Sequence, residues 1–234
     1  MLRSSVIGFA LSFFLSAGCA QAEIKIAVYG DSTTEGWASV PGGAFLTSKN
    51  VPALLQEMIR RDVDPSAVVY NKGVGGTQAS QILLGLDGRN QAWDDEMSQT
   101  DASIIMINFS LNDAYFHQVP TPGVVAEGPK EFEYILRTLV KTAQVHGKTV
   151  VLLTPNPVCK EPRLSVLPYY VERIKNVATS EQVSLVDHFY ATQKEKDWQN
   201  QLADCVHPSE AMYADKARRE YKALIPLISP TSLK

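Results

Sequence analysis

The fold is decided by residues 24–36, which read IKIAVYGDSTTEG. An apolar, β-prone run ends in Gly-Asp-Ser and then turns polar, which is typical of a buried parallel strand that reaches the carboxyl edge of an α/β sheet. Gly30 permits a sharp turn that leaves Ser32 projecting, and the helix after such a strand begins nearby with free backbone N–H groups. Ser32 is therefore a candidate nucleophile. Gly-Asp-Ser is also a common turn tripeptide, so its role depends on whether distant residues supply a base and an anion site.

Strand-like and helix-like segments alternate along the rest of the chain. Further strands are predicted at 68–70, 104–109, 150–153 and 183–186, and helices at 52–60, 80–86, 129–145, 167–178 and 210–224. This alternation predicts an α/β protein with three layers, α/β/α, in which a flavodoxin-like, five-stranded parallel sheet forms the middle layer. We expect a single domain over residues 23–234, with loops at 37–50 and 114–128 that shape a pocket and the second of them covering it.

The composition is that of an ordinary soluble globular protein. The chain has 234 residues, 45% of them hydrophobic and 20% charged, and its net charge is −3. Nothing in this balance indicates a nucleic-acid partner, and no basic helix indicates binding to a membrane surface. The sequence has no His-Glu-x-x-His helix, no closely spaced cysteine pair and no phosphate loop, so we expect no metal and no cofactor. We also expect a monomer.

The first 22 residues have the features of a secretory leader. Arg3 supplies a short positive region, residues 6–15 are apolar but too few to span a bilayer, and Ala20-Gln21-Ala22 has the small-x-small pattern of a cleavage site. We predict a signal peptide over residues 1–22 that is cut after Ala22. The alternative is lipoprotein processing at Cys19. In both cases the mature protein is periplasmic or secreted and has no integral membrane segment.

Export also determines how the cysteines are interpreted. Of the three cysteines, removal of the leader leaves Cys159 and Cys205, an even number in an oxidising compartment. We predict that they form a disulfide. The alternative is two buried free thiols.

Four short blocks, in order, carry a resemblance to a known family. They are Gly30-Asp31-Ser32, residues 71–77 with paired glycines, Ser110-Leu111-Asn112-Asp113, and Asp204-Cys205-Val206-His207-Pro208. Together they resemble the signature blocks of the SGNH (GDSL) hydrolase superfamily, most closely its thioesterase I, lysophospholipase and arylesterase branch. The resemblance implies the SGNH hydrolase fold. One position departs from the pattern, because Ser110 stands where the third block usually has glycine, and we expect it to alter local backbone freedom without abolishing activity.

The chemistry of these residue types agrees with a serine hydrolase. A serine hydroxyl needs a base, and His207 can take the proton of Ser32 and later deliver it to the leaving alcohol. Asp204, three residues upstream, can hold the tautomer of the imidazole. An oxyanion needs donors placed in advance, and those expected are the backbone N–H groups of Ser32 and Gly76 and the side-chain amide of Asn112. Gly76, the second of two adjacent glycines, is chosen from the family pattern.

Other histidines and aromatic residues of the mature chain are expected to have structural roles. His188 follows Asp187 at a strand end and is the one candidate for a second base, but packing is the favoured interpretation. The same interpretation applies to His117, which could line the pocket, and to His146. It also applies to the loop residues Tyr115 and Phe116, for which the alternative is binding of the acyl group.

The sequence therefore predicts an exported serine esterase that hydrolyses carboxylic esters, with lipid, aryl or thioester acyl groups, through an acyl-enzyme on Ser32. One alternative is an O-acetyl esterase that acts on envelope or plant polysaccharide. Two non-catalytic alternatives are a carbohydrate-binding α/β domain and a nucleotide-binding flavodoxin-like protein.

Overall fold

The structure, a computed structural model, describes residues 23–229. The predicted signal peptide, its cleavage after Ala22 and the alternative processing at Cys19 concern residues outside this range. Within 23–229, none of the helices combines the length and apolarity that crossing a bilayer requires.

Five strands form one parallel sheet. They are β1 (Lys25–Gly30), β4 (Val68–Gly73), β5 (Ile104–Asn108), β6 (Thr149–Leu153) and β7 (Ser184–Val186), and two short strands, β2 (Trp37–Val40) and β3 (Gly43–Leu46), form a separate antiparallel hairpin. The order across the sheet is β4-β1-β5-β6-β7, and all neighbours are parallel. β1 thus lies between β4 and β5. The predicted five-stranded parallel sheet is confirmed.

Helices cover both faces of this sheet. The helices are α1 (Ser32–Glu35), α2 (Val51–Asp62), α3 (Ala79–Leu84), α4 (Trp93–Gln99), α5 (Leu111–Gln118), α6 (Pro129–Val145), α7 (Leu167–Ser180), α8 (His188–Gln193) and α9 (Glu210–Ile228). In β1, Ala27 and Tyr29 pack into an apolar cluster with α3, α4, α6 and α7, whereas Ile26 and Val28 pack on the opposite face with α2 and α9. This alternation with period two is what a strand buried on both faces requires. The predicted three-layer fold is therefore confirmed.

Several connections differ from the sequence-based expectation. The segment 37–50, predicted as a loop, contains the β2–β3 hairpin, whose turn includes Gly42 at a φ of 91°. The second sheet strand continues to Gly73 instead of ending at residue 70. The segment 114–128, predicted as a loop, begins inside α5. Asp113, in the first turn of that helix, is buried and accepts a hydrogen bond from the Ala79 N–H at 2.9 Å, which holds the helix in place. Turn-forming residue types had suggested a loop there.

The β2–β3 hairpin braces the segment that leads into α9. The buried Ser39 donates from its Oγ to the carbonyl of His207 at 2.5 Å, and the same Oγ accepts from the Ala203 N–H at 2.9 Å. Tyr213 of α9 donates to the carbonyl of Trp37 at 2.5 Å. These contacts fix the chain around residues 203–208 against the carboxyl edge of the sheet.

Candidate active site

Ser32 is the first residue of α1, and a single residue, Asp31, separates it from the end of β1. The buried carboxylate of Asp31 caps this helix by accepting from the N–H and the Oγ1 of Thr33 at 2.8 and 2.9 Å. Gly30, which precedes the capping residue, is not among the glycines with a left-handed backbone conformation. Close packing requires glycine at position 30, because an added Cβ would overlap the Thr34 side chain and lie 2.6 Å from the carbonyl of Asn108.

A chain of hydrogen bonds joins Ser32 to the loop before α9. The Oγ of Ser32 lies 2.9 Å from Nε2 of His207, and Nδ1 of His207 lies 2.6 Å from Oδ2 of Asp204. The other carboxylate oxygen of Asp204 accepts from the N–H groups of Val206 and His207 at 2.9 and 2.8 Å. Partial burial opposes ionisation of this carboxyl, but the hydrogen bonds from the His207 ring and the two N–H groups outweigh it and lower the pKa of Asp204.

The loop that carries His207 is also restrained by covalent and polar contacts. Cys159 and Cys205 are joined by a disulfide, as predicted, and the Cys159 N–H donates to the carbonyl of Cys205 at 3.1 Å. Asn156, which is fully buried, donates to the carbonyl of Val206 at 3.0 Å. The backbone of the two residues directly before the histidine is therefore anchored to the segment that follows β6.

The three residues predicted to donate to an oxyanion, Ser32, Gly76 and Asn112, all line one cavity. Within residues 23–229, neither the Ser32 N–H nor the Gly76 N–H has a protein acceptor. Gly76 has a φ of 80°, which favours glycine, and an added Cβ there would meet no atom within 4 Å. The amide of Asn112 donates to the carbonyl of Thr77 at 3.0 Å, and this one bond leaves its second N–H available.

Ser110 stands at the position where the family pattern has glycine. Its φ is 136°, in the region that favours glycine, and its side chain is fully buried with no hydrogen-bond partner for Oγ. Ser110 thus adopts a backbone conformation that glycine would adopt freely, and its side chain makes that conformation strained.

The cavity has a volume of about 510 Å³ and is lined by residues that share no single element: Ser32, Glu35, Trp37, Ala44, Gly75, Gly76, Leu111, Asn112, Arg163, Val206 and His207. Asp204 is not among them and lies behind the imidazole. Sequence reasoning missed Glu35, Trp37 and Arg163. The nearness of the first two to Ser32 in the chain was a signal, whereas nothing local marked Arg163.

Glu35 organises one wall of the cavity. Its Oε2 accepts from the Gly75 N–H at 2.8 Å and from the indole N–H of Trp37 at 3.0 Å. Its Oε1 pairs with Arg89 at 2.9 Å. An added Cβ on Gly75 would lie 2.8 Å from this carboxylate. Glu35 therefore holds Gly75, the residue that precedes Gly76 and its N–H donor in the chain.

The histidines outside the cavity make other contacts. His188 is fully buried and its Nε2 lies 2.8 Å from Glu220, while Asp187 caps α8 by accepting from the Tyr190 N–H. His146 pairs with Asp94 at 2.8 Å. His117 is exposed at the end of α5 and does not line the cavity.

The two aromatic residues predicted to pack in the 114–128 segment lie on α5. Their rings contact each other edge to face, with centroids 5.3 Å apart. Tyr115 also lies beneath the guanidinium of Arg163, 4.4 Å from ring centre to Cζ. In residues 23–229 no cluster of three or more histidine, cysteine, aspartate or glutamate side chains could hold a metal ion.

Comparisons with known proteins show the family and the fold of the chain. The model of the GDSL-like lipase/acylhydrolase family matches residues 28–214. A lipase/acylhydrolase from Enterococcus faecalis superposes with a TM-score of 0.71 at 18% identity, over 88% of this chain and 98% of that one. Axe2, an acetylxylan esterase from Geobacillus stearothermophilus, gives 0.69 at 21% identity, over 87% and 96%. LAE5, an alpha/beta hydrolase enzyme from the metagenome of Lake Arreo, gives 0.66 at 20% identity, over 90% and 96%. At these identities the likeness is one of fold alone. No curated protein matches the chain.

Proposed function

The chain belongs to the GDSL-like lipase/acylhydrolase family and is a carboxylic ester hydrolase, and from this premise we propose that it is an exported serine esterase working through an acyl-enzyme on Ser32. The observation that carries the proposal is the continuous hydrogen-bonded chain from Ser32 through His207 to Asp204. A hydroxyl so placed beside an imidazole, at the wall of an open cavity, is the arrangement that nucleophilic catalysis needs.

In the first half of the reaction, Ser32 Oγ attacks the ester carbonyl carbon while Nε2 of His207 takes the hydroxyl proton. Asp204 accepts the hydrogen bond from Nδ1–H, which keeps Nε2 free as the acceptor and stabilises the imidazolium that forms. The lowered pKa of Asp204 keeps that carboxylate ionised near neutral pH. The aspartate orients and stabilises the imidazolium and does not take the proton itself.

The carbonyl oxygen becomes an oxyanion in this step. We assign its binding to the free N–H groups of Ser32 and Gly76 and to the second amide N–H of Asn112, because fixed donors that need no rearrangement stabilise the developing charge. When the tetrahedral intermediate collapses, the ester C–O bond breaks and His207 gives its proton to the leaving alcohol.

The second half repeats these steps with water. His207 removes a proton from water, the hydroxide attacks the acyl carbonyl, and the same donors hold the new oxyanion. Collapse breaks the bond to Ser32 Oγ, which recovers its proton from His207 and releases the carboxylic acid. Every group in this cycle comes from one chain, and we therefore propose a monomer as the working unit.

The lining of the cavity favours a short acyl group on a polar alcohol over a lipid or thioester acyl chain. A long acyl chain requires continuous apolar surface, but polar side chains interrupt the apolar ones in this cavity, namely Glu35, Asn112, Arg163 and His207. We therefore favour the O-acetyl esterase alternative, with a carbohydrate as the alcohol. Axe2 is an acetylxylan esterase by name, but its low identity supports only the fold.

Export is part of the proposal. The disulfide between Cys159 and Cys205 is compatible with a periplasmic or secreted protein. We propose that residues 1–22 are a signal peptide and that the mature enzyme begins at Glu23. N-terminal sequencing of the protein recovered from outside the cytoplasm tests this.

Two measurements test the function. Hydrolysis of p-nitrophenyl esters of increasing acyl length should be fastest with acetate and should fall with chain length, whereas a rise toward medium chains would favour the lipid alternative. Ser32→Ala should lower kcat by about 10³ or more with the fold unchanged. If this variant kept most of the activity, the assignment of Ser32 would be wrong.

A further inference from the structure

Arg163 lies in the wall of the active-site cavity and is held there by contacts from three sides. Its Nε donates to the carbonyl of Leu111 at 2.8 Å, its Nη2 lies 3.5 Å from Oδ1 of Asn112, and the ring of Tyr115 supports the guanidinium plane. The side chain is half-buried. Because the guanidinium is already fixed in this way, it loses little further conformational freedom when a ligand binds.

Arg163 has no carboxylate partner within the part of the chain that the structure describes. The other half-buried arginines all do: Arg137 pairs with Glu133 and Glu181, Arg173 with Glu133, and Arg219 with Glu195. Nη1 of Arg163 makes no hydrogen bond to residues 23–229. A partly desolvated cation without a counter-ion is costly, and a bound anion would remove that cost.

The acids nearest the cavity are engaged elsewhere: Asp31 with Thr33, Asp204 with His207 and its backbone, and Glu35 with Arg89. Asp31 and Asp204 act on the Arg163 charge through space and favour it, but no carboxylate of residues 23–229 forms an ion pair with the guanidinium. Burial lowers the pKa of its guanidinium, yet arginine remains charged over the whole physiological range. The cavity therefore offers a fixed positive charge with free N–H donors beside the proposed oxyanion site.

We propose that Arg163 binds a carboxylate carried by the ester substrate, so that the enzyme prefers acidic esters to neutral ones. The planar fork of a guanidinium matches the two oxygens of a carboxylate, and charge-assisted hydrogen bonds of this kind are the strong ones. The substrate class is either a half-ester of a dicarboxylic acid or an acyl ester on a hydroxyl of an acidic sugar. This inference rests on the proposed esterase function.

The competing interpretation is that Arg163 only positions Asn112. The two interpretations differ in what they predict for matched substrates. A positioning residue acts on the transition state of every ester alike and lowers kcat equally for all of them, whereas a carboxylate-binding residue acts on acidic esters and mainly through KM.

The experiment compares two matched ester pairs. The first is mono-p-nitrophenyl glutarate against p-nitrophenyl valerate, which places the carboxylate in the acyl part. The second is O-acetyl glucuronic acid against O-acetyl glucose, which places it in the alcohol part. Wild type should prefer the acidic member of one pair, and that pair identifies the side of the ester. High salt should weaken the preference.

The variants are Arg163→Met, Arg163→Lys and the control Arg60→Met. Arg60 also donates from Nε to a backbone carbonyl, that of Ala67, but it does not line the cavity. We expect Arg163→Met to lower the acidic-to-neutral ratio of kcat/KM by about 10- to 100-fold, mostly through KM. Arg163→Lys, which keeps the charge without the fork, should fall in between, and Arg60→Met should keep the wild-type ratio.

Either of two results overturns the inference: no acidic preference in wild type for both pairs, or an equal loss of kcat on acidic and neutral esters in Arg163→Met. Should Arg163→Met fail to fold, binding of free glutarate and glucuronate to Ser32→Ala provides the test, and absence of binding by both acids counts against the inference. The proposed function fails separately, if wild type hydrolyses no ester or Ser32→Ala keeps its activity.

Discussion

Two histidine–carboxylate pairs lie in the C-terminal part of this protein, and only one of them is placed to catalyse a reaction. His207 and Asp204 are joined at 2.6 Å, and His188 and Glu220 at 2.8 Å, so the contacts themselves are alike. The second ring nitrogen of His207 meets Ser32 Oγ at the wall of a cavity. The second ring nitrogen of His188 is buried without a hydrogen-bond partner.

The difference between the pairs is one of environment. The side chains of His207 and Asp204 are 22% and 34% exposed, and hydrogen bonds lower the pKa of Asp204 despite its partial burial. The other pair is fully buried, and burial raises the pKa of Glu220 and lowers that of His188. Desolvation thus favours the neutral form of each group. A histidine–carboxylate contact becomes catalytic only where a nucleophile and a substrate can reach it.

A buried lysine whose charge acts on Glu220 contributes to the structure behind the active site. Lys216, one turn before Glu220 on α9, is fully buried and donates to Oδ1 of Asn156 at 3.3 Å. Asn156 in turn donates to the carbonyl of Val206. Lys216 and Asn156 therefore support the loop that presents His207, and their role is structural.

The largest expected effect separates the two histidines by activity. His207→Ala should lower kcat by about 10³ or more, because the base is lost. His188→Gln should keep turnover within a few-fold of wild type, since His188 contacts no reacting group. Steady-state kinetics on p-nitrophenyl acetate, with circular dichroism to verify folding, measures both. A folded His188→Gln protein as inactive as His207→Ala would reverse the comparison.

The next effect concerns the Cys159–Cys205 disulfide, which restrains the loop that carries His207. The buried pair His188–Glu220 has no such covalent restraint. Cys159 and Cys205 are 46 residues apart, and closing a loop of that length stabilises the fold by about 4 kcal/mol in the chain-entropy account, less any strain. The double variant Cys159→Ala/Cys205→Ala should lose up to that free energy of unfolding in urea, and its kcat should fall. Wild type under reducing conditions, which lacks the bond but keeps both cysteine side chains, is the control for the change of side chain. Unchanged stability and unchanged kcat would show that the other contacts of the loop suffice.

The smallest effect is the proton linkage of the buried pair. The folded pKa of His188 is lowered by burial and by the nearby charges of Lys216 and Arg219. Below about pH 6.5 the unfolded chain takes up a proton that the folded chain does not, so this group costs about 1.4 kcal/mol of stability per pH unit as the pH falls. Glu220, whose folded pKa is raised, changes the stability with pH in the opposite direction. Because wild type and the variant His188→Gln both contain Glu220, its contribution is common to the two proteins.

The measurement is the difference in free energy of unfolding between wild type and His188→Gln. That difference should shrink by about 1 kcal/mol between pH 7.5 and pH 5.5, since glutamine carries no such proton. A difference that stayed constant, or grew toward acid, would contradict the assignment of His188 as a buried neutral group.

The sequence predicts the sheet well because its strands are long apolar runs whose ends carry the unusual polar residues. The strand that delivers Ser32 and the strand before Asn112 are such runs, and in a parallel sheet their carboxyl ends must meet at one edge. The hairpin at 37–46 was not predicted, because its strands are only four residues long and none of the four residues of β3 is buried. Short exposed strands have little pattern to detect.

Arg163 and the buried Lys216 and Glu220 could not be predicted for a different reason. Charged residues on a helix or after a strand are usually solvated, and only the packing of distant segments shows that these are not. Arg163, which contacts Asn112, lies in the segment after β6, and Glu220, which contacts His188, lies on α9. Such pairings arise from tertiary structure and leave no local mark in the chain.

The most direct test of the central claim is labelling with a fluorophosphonate, followed by mass spectrometry of the modified peptide. We predict one label per chain on Ser32, formed much more slowly in His207→Ala and at the wild-type rate in His188→Gln. Labelling of a different serine, or a folded protein that takes up no label, would contradict the account.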